Sequence, residues 1–429
     1  MKATLVCGLG FGDEGKGSIV DYLARQTGAS LVVRYNGGAQ AAHHVVTDDG
    51  RSHCFAQFGS GTFAGAKTYL SQFMLIDPLA LANEAQALTT VGIVDPYAFM
   101  TVHREAPLIT PYHQIINRLR EVARGAHRHG SCGVGVGPLA EDVRDKRRTL
   151  SPSCLEWKPL YAIRDRLRDE AETLALPFDP ATWFDAVDPD VWLERTRHIL
   201  SQITLADQMP AADTVIFEGA QGVLLDQEHG FHPYTTWSDT TFTQALCILD
   251  EARWPGTVAR VGVLRGSQLT RHGTGPFPTE RVPSNPERVF NHERNTVGQW
   301  QGAFRVGHLD LVLLRYALKV VGFLDYVAVT CLDRWDGMEC LIATDYRLDG
   351  VAYEPPYYLR ASVLDRLAIT KTLLDVKPEY RDSTSLVDVL VAIQAIGVRV
   401  GLASYGPRAE DKFMSASDIS MLELSAPRA

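Results

Sequence analysis

Between Gly8 and Ser18 the chain reads Gly8-Leu9-Gly10-Phe11-Gly12-Asp13-Glu14-Gly15-Lys16-Gly17-Ser18. Gly10 to Lys16 fits G-x-x-x-x-G-K, the spacing of a phosphate-binding loop. Glycines there let backbone N–H groups turn inward onto phosphate oxygens, and the lysine adds a full charge. Two departures stand out. The hydroxyl residue that usually follows the lysine is Gly17, and two carboxylates lie inside the loop. A carboxylate facing phosphates is repulsive unless a metal ion lies between them or it moves a proton. Asp13 is a candidate for both roles. A structural glycine-rich turn is the bland alternative. His43 follows a second glycine-containing segment and is a candidate acid or base. Asp226, His229 and His232 are spaced too loosely for a metal cluster.

The loop needs a strand before it and a helix after it. Ala3–Cys7 is a short apolar run, and Gly17–Arg25 reads as a helix. Further strand-like runs are Leu31–Arg34, Thr214–Phe217, Val258–Leu264, Tyr326–Thr330 and Val398–Ala403. Helix-like runs are Pro78–Leu88, His113–Ala126, Pro189–Ala206, Leu309–Val320 and Ser385–Ile396. This alternation predicts an α/β protein with a large, mostly parallel central sheet flanked by helices. Residues 151–212 are charged, helical in pattern and without glycine, which predicts a helical insertion in one domain spanning 1–429. The net charge of −9 argues against nucleic-acid binding. No apolar stretch reaches the ~20 residues of a membrane span. Seven scattered cysteines and the absence of a signal-peptide pattern point to the cytoplasm.

Several segments, in collinear order, resemble the adenylosuccinate synthetase family. Gly12-Asp13-Glu14-Gly15-Lys16-Gly17 is similar to its signature loop. Arg34-Tyr35-Asn36-Gly37-Gly38-Ala39-Gln40-Ala41-Ala42-His43 resembles R-Y-x-G-G-x-N-A-G-H. Gly130-Ser131-Cys132-Gly133-Val134-Gly135-Val136-Gly137-Pro138 resembles G-T-T-G-x-G-I-G-P. Phe217-Glu218-Gly219-Ala220-Gln221-Gly222, Gly275-Pro276-Phe277-Pro278-Thr279-Glu280, Thr330-Cys331-Leu332-Asp333 and Ser404-Tyr405-Gly406-Pro407 match further family segments.

The resemblance implies a GTP-dependent ligase. The 6-oxo group of a purine nucleotide (IMP, or GMP or dGMP) would be phosphorylated and then displaced by an amine, that of L-aspartate first. By position, Asp13 resembles the base and Mg²⁺ ligand, with the Ala42 carbonyl also on the metal. Lys16, with Gly12, Gly15 and Gly17, would hold the GTP phosphates. His43 resembles the acid facing the transferred group. Asp333 would read guanine, and Ser404 and Gly406 would close over it. Gln40, Ser131, Cys132, Gln221 and Thr236 would surround the purine nucleotide. Lys146 or Arg147 would reach a partner's nucleotide phosphate in a homodimer. Glu218 reads as a buried structural carboxylate.

The departures fall at ligand positions. In place of an arginine-rich amino-acid loop stands Val297-Gly298-Gln299-Trp300-Gln301-Gly302-Ala303-Phe304-Arg305, which keeps only Arg305. Arg305, Gln299 and Trp300 are the expected amino-acid contacts, with Arg271, His272 or Arg294 as substitutes for a lost arginine. Gln40 stands for Asn, Cys132 for Thr, and Cys331 for the lysine on the guanine face. The alternatives are the same phosphoryl activation with another amine or acceptor, and a nucleotide-binding pseudoenzyme. A guanine-nucleotide switch lacks support, because the chain has no convincing N-K-x-D and D-x-x-G pair.

Overall fold

The computed structural model describes residues 1–282, 302–335, 340–383 and 385–414. Ten strands form the central sheet: β1 Lys2–Gly8, β2 Leu31–Arg34, β3 Lys67–Leu70, β4 Met100–His103, β5 Thr204–Ala206, β6 Thr214–Gly222, β7 Thr257–Arg265, β8 Tyr326–Thr330, β9 Val400–Ser404 and β10 Lys412–Met414. Their spatial order is β10-β9-β8-β7-β1-β6-β2-β3-β4-β5. All neighbours run parallel except β10, which pairs antiparallel with β9 at one edge.

Burial on both faces explains the apolar character of these strands. Leu5 and Cys7 of β1 point into one core, with Val33, Phe217 and Val329. Val6, between them, points into the other, with Ile19, Val20 and Leu23 of the helix α1, Lys16–Thr27. A third apolar cluster joins helices α2 (Pro78–Thr90), α3 (Pro111–Arg124), α4 (Trp157–Glu172) and α5 (Pro189–Leu200) through Leu81, Ile116, Leu160 and Leu193. Asp77 caps α2 with proline following at its first position, and Thr110 with His113 forms a capping box on α3.

The sequence run Pro189–Ala206 does not stay helical. α5 ends at Leu200, and Thr204–Ala206 turns into the edge strand β5 beside β4. The strand read at Thr214–Phe217 continues through Glu-Gly-Ala-Gln-Gly to Gly222.

The topology decides where a ligand can sit. β1 is central, and the strands that follow it lie first on one side (β2 to β6) and then on the other (β7 to β10). In open parallel sheets such a switch point leaves a crevice at the carboxyl ends of the strands. Five of the motifs found in the sequence leave a strand at that end: the loop after β1, Tyr35–His43 after β2, Gln221 on β6, Cys331–Asp333 after β8 and Gly406 after β9; Gly130–Pro138 and Gly275–Glu280 lie off the central sheet.

Candidate active site

The glycine-rich loop runs from the end of β1 to α1, which begins at Lys16 with Gly15 as N-cap at φ 84°. Gly12 is also left-handed, at φ 111°. Glu14 fills the cradle with its own carboxylate. Its Oε1 accepts from the N–H groups of Gly10 (3.0 Å) and Gly12 (2.7 Å), and its Oε2 accepts from Lys16 Nζ (2.8 Å). Both side chains are buried. The cradle is built around that carboxylate: a Cβ at Gly8 would lie 2.3 Å from Glu14 Oε2, and one at Gly222 would lie 2.7 Å from Oε1.

Gly17 replaces the usual hydroxyl residue for a steric reason. A Cβ there would lie 2.7 Å from the Cβ of His43 and 3.0 Å from Ser60 Oγ. The space beyond the lysine is taken by the hairpin His43–Val46 and Ser52–Phe55, which brings His43 onto the loop.

His43 Nδ1 meets Glu218 Oε1 at 2.5 Å. Glu218 Oε2 accepts from the Ser60 N–H at 2.9 Å, and the Ser60 hydroxyl donates to Oε1. The β2/β6 register pairs Arg34 with Glu218, which sets a buried guanidinium beside the buried carboxylate. Burial alone would raise the Glu218 carboxyl, but Arg34, His43 and Ser60 bring it down to about 2. Burial pushes His43 down to about 4; Glu218 opposes that shift, while Arg34 and Lys16 add to it. The pair at neutral pH is therefore a neutral imidazole on an ionised carboxylate. With Nδ1–H donated to Glu218, Nε2 is left with its lone pair.

Asp13 is half-buried in the loop, its Oδ2 enclosed 3.4 Å from His272 Nε2 and without a hydrogen-bond partner. Burial raises its carboxyl above the usual carboxylate range, against the pull of His272. His272 arrives on a three-stranded antiparallel sheet in which Arg271 pairs with Arg305 and His272 with Phe304. Gln221, at φ 64° where the β1/β6 register shifts, faces Gly12: a Cβ on that glycine would lie 3.6 Å from Gln221 Oε1. Asp13, Lys16, His43 and Gln221 thus converge on one crevice.

The other expected residues form neighbouring groups. Gln40 lies by Gly38 and Val136, since a Cβ on Gly38 would be 2.9 Å from Gln40 Oε1. Ser131 Oγ accepts from Asn117 Nδ2 at 2.7 Å, and Cys132 beside it is half-buried. Trp237, next to Thr236, packs on Gly137 and under Arg144, whose Cζ is 4.6 Å from the ring centre. At the ends of β8 and β9, Asp333 is exposed and Ser404 Oγ donates to Gly406 O at 3.0 Å. Thr330 Oγ1 donates to Glu14 O at 2.6 Å and ties this end to the loop. Ala42 is exposed immediately before His43.

Two groups stand apart. Lys146 and Arg147 are exposed, and Arg147 pairs with Asp142 (3.1 Å) and Asp145 (3.0 Å) of its own chain. Four of the five N–H donors of Arg305 are engaged: Nε and Nη2 hold Glu280, and Nη1 donates to Gly273 O and Gly275 O, each at 3.0 Å. Gln299, Trp300 and Arg294 lie outside the described residues.

Sequence reasoning passed over Glu218 as structural and did not see Ser60 or Arg34 beside it. The 175 residues separating His43 from Glu218 carry no spacing signal. Only the β2/β6 register, Arg34 against Glu218, could have exposed the group.

A ten-stranded, nearly all-parallel sheet with a G-x-x-x-x-G-K loop at its switch point defines a nucleotide-dependent α/β enzyme. Residues 5–409 match the family model for adenylosuccinate synthetase, and the chain belongs to that family of GTP-dependent carbon–nitrogen ligases. It is 33% identical to the adenylosuccinate synthetase of Chlorobium limicola, with 95% of this chain and 96% of that one covered. Identity to the Clostridium novyi adenylosuccinate synthetase is also 33%, covering 89% and 87%. Among solved structures, the fully ligated adenylosuccinate synthetase of Plasmodium falciparum superposes with a TM-score of 0.75 at 21% identity, covering 96% of this chain and 99% of that one. The succinoaminodeoxyadenylate synthetase of cyanophage S-2L, bound to dGMP and to dATP as energy donor, gives 0.60 at 20% identity, covering 99% and 98%. At these identities the two structures speak for the fold. Among the described residues no helix is long and apolar enough to cross a membrane.

Proposed function

We propose that this protein joins IMP to the amine of L-aspartate, with GTP as phosphoryl donor. The observation that carries the reading is the convergence of Asp13, Lys16, His43 and Gln221 at the carboxyl ends of β1 and β6. A purine 6-oxo group is a poor leaving group. Removing the N1 proton makes O6 nucleophilic enough to take the γ-phosphoryl group, and the amine then displaces phosphate from C6.

Asp13, half-buried and without a hydrogen-bond donor on Oδ2, would take that proton. Gln221 holds the ring from the neighbouring strand. Lys16 and the loop N–H groups receive the phosphates, for which Glu14 must give up its place on Gly10 and Gly12. His43 donates to the phosphoryl oxygens once their charge raises its proton affinity from the ligand-free value of about 4. Glu218 fixes its tautomer and orientation.

Asp13 Oδ2 also suits a hard divalent ion. Among the described residues no three His, Cys, Asp or Glu side chains gather on a metal site, so Mg²⁺ would sit on Asp13, the Ala42 carbonyl and substrate phosphate oxygens. The ion would neutralise charge developing on the transferred group. Lys146 or Arg147 extends to the nucleotide of a second copy in a homodimer. A fully active monomer in sedimentation would overturn that assignment.

One observation favours a second reading, in which the same activation serves another amine. Arg305, the arginine kept from the family's amino-acid loop, already commits four of its five N–H donors to Glu280 and two carbonyls. The test is phosphate release with GTP and Mg²⁺ across IMP, GMP and dGMP, each with and without L-aspartate, with products weighed by mass spectrometry. A succinyl adduct of IMP supports the first reading. An adduct of dGMP alone, or phosphate release without any aspartate adduct, replaces it.

A further inference from the structure

Lys412 opens the antiparallel edge strand β10, and its register partner is Ser404 at the end of β9. Its side chain is buried, 5% exposed. The ammonium group donates to three consecutive carbonyls of the loop after β9: Gly406 at 3.3 Å, Pro407 at 3.4 Å and Arg408 at 2.7 Å. An ammonium group has three donors, and here all three are used on one turn of backbone.

The rest of the turn is fixed from the same side. Asp411 Oδ2 accepts from Arg408 N–H at 2.8 Å, and Asp411 O accepts from Tyr405 N–H at 2.9 Å. A Cβ on Gly406 would lie 2.4 Å from Asp411 Oδ2, so the turn has no slack there.

Three carbonyls pointing at one spot repel each other unless a cation lies between them. An apolar residue at 412 would fill the space and leave that convergence uncompensated. The titratable groups facing Lys412 are Asp411 on its own loop, Asp21 on α1, and Asp333 with Cys331 after β8. The ammonium group thus lies between the turn and the segment that carries Asp333. At position 331, where the resembling motif would place a lysine, this chain has a cysteine at φ 57°.

We propose that Lys412 is a positioning residue for the guanine of the donor nucleotide: it clamps the Gly406–Arg408 backbone in the shape that closes over the base beside Asp333. It thereby supplies from β10 the cation that position 331 lacks. The inference rests on the proposed use of GTP. Burial also pulls the Lys412 ammonium group down to about 8, against Asp411 and Asp21. The clamp therefore weakens as pH rises past that value.

The experiment compares wild type, Lys412→Met, Lys412→Arg, Asp333→Asn and the double variant Cys331→Lys/Lys412→Met in steady-state kinetics. Lys412→Met is expected to raise KM for GTP about tenfold or more, the weight of charge-assisted hydrogen bonds. kcat and KM for IMP should stay within about twofold. Cys331→Lys in that background should recover part of the loss. In wild type, KM for GTP should climb above pH 8, while in Lys412→Arg it should stay flat over the same range. A purely structural lysine would move kcat and both KM values together and give no such contrast. If Lys412→Met does not fold, the wild-type and Lys412→Arg pH profiles decide alone, and parallel profiles overturn the proposal. An unchanged KM for GTP in folded Lys412→Met also overturns it. If Asp333→Asn raises that KM while Lys412→Met does not, the base site stands and only the role of Lys412 falls. Absence of turnover with GTP in wild type would instead remove the reading beneath it.

Discussion

Glu218→Gln tests whether His43 acts through its buried carboxylate. The substitution keeps shape and removes charge. Glu218 serves four groups: His43 Nδ1, the Ser60 N–H, the Ser60 hydroxyl and the Arg34 guanidinium. The carboxyl is held at about 2 against an ordinary 4.5. At ~1.4 kcal/mol per pH unit, its surroundings favour the ionised form by about 3 kcal/mol. Glutamine forfeits that stabilisation and leaves Arg34 charged, with Phe58 O, at 3.2 Å, the acceptor it has among the described residues. Breaking one side of a buried pair costs ~3–5 kcal/mol, so the melting temperature should fall clearly while the protein stays folded at room temperature. For turnover, His43 loses the anion that steadies its protonated form. General acid catalysis is worth about 10²–10⁴-fold. We expect kcat to fall by about 10²-fold, with KM for GTP and IMP moved little. Phosphate release under saturating substrates reads the first quantity, and a urea melt reads the second. A folded Glu218→Gln enzyme with kcat within threefold of wild type would refute the argument and return Glu218 to a structural role.

Other substitutions probe the remaining parts. Asp13→Ala should abolish phosphate release while leaving the melting temperature close to wild type, because Asp13 Oδ2 accepts no hydrogen bond that the fold would miss; normal turnover removes it as the base. Gly222→Ala should destabilise by about 1–3 kcal/mol, since the new Cβ would lie 2.3 Å from Gly10 O, a backbone atom that cannot step aside; a wild-type melting curve would show the cradle to be loose. Asp333→Asn should weaken GTP relative to ATP, and an unchanged preference would mean that guanine is read elsewhere. His43 predicts a pH effect on stability: its folded value of about 4 lies below the ordinary 6.5, so between them the unfolded chain binds the extra proton. That contribution, on the order of 3 kcal/mol, is complete above pH 6.5 and is lost as pH falls toward 4. Urea midpoints at pH 7 and 4.5 should differ less in His43→Gln than in wild type.

The elements legible in the sequence were those with a periodic or punctuated signal. β2 and β8 fall on the runs Leu31–Arg34 and Tyr326–Thr330, because parallel strands buried on both faces read as bare apolar stretches. β6 was cut short at Phe217, since Glu-Gly-Ala-Gln-Gly carries the composition of a turn. Those residues are nevertheless strand, because β1 pairs with β6 at Glu218 and again at Gly222, the shift in register absorbing the residues between, while β2 pairs only as far as Glu218. β5 was hidden inside a helical run: three residues at a sheet edge are held by β4 and by little intrinsic preference.

The site divides along the same line. Glycine spacing and the lysine are local, so the loop after β1 was visible, and so was His43 beside its own glycines. What makes them a site is non-local. Gly17 is explained by a hairpin that arrives 26 residues later in the chain, at His43. His43 is explained by Glu218 on a strand beyond the helices α2 to α5, and Glu218 by Arg34. Glu14 sharpens the point. In the sequence a second carboxylate in a phosphate loop looks like a liability. In the fold it is the group that satisfies Lys16 and the loop N–H groups before substrate arrives. An empty cradle would strip the Gly10 and Gly12 N–H groups of their acceptor and leave the buried Lys16 ammonium group with the Gly12 carbonyl but no anion, at a cost of several kcal/mol. The carboxylate keeps the cradle formed in the ligand-free protein. An incoming phosphate therefore competes with Glu14 and has no loop to order, and the preformed site trades some affinity for geometry that is already in place.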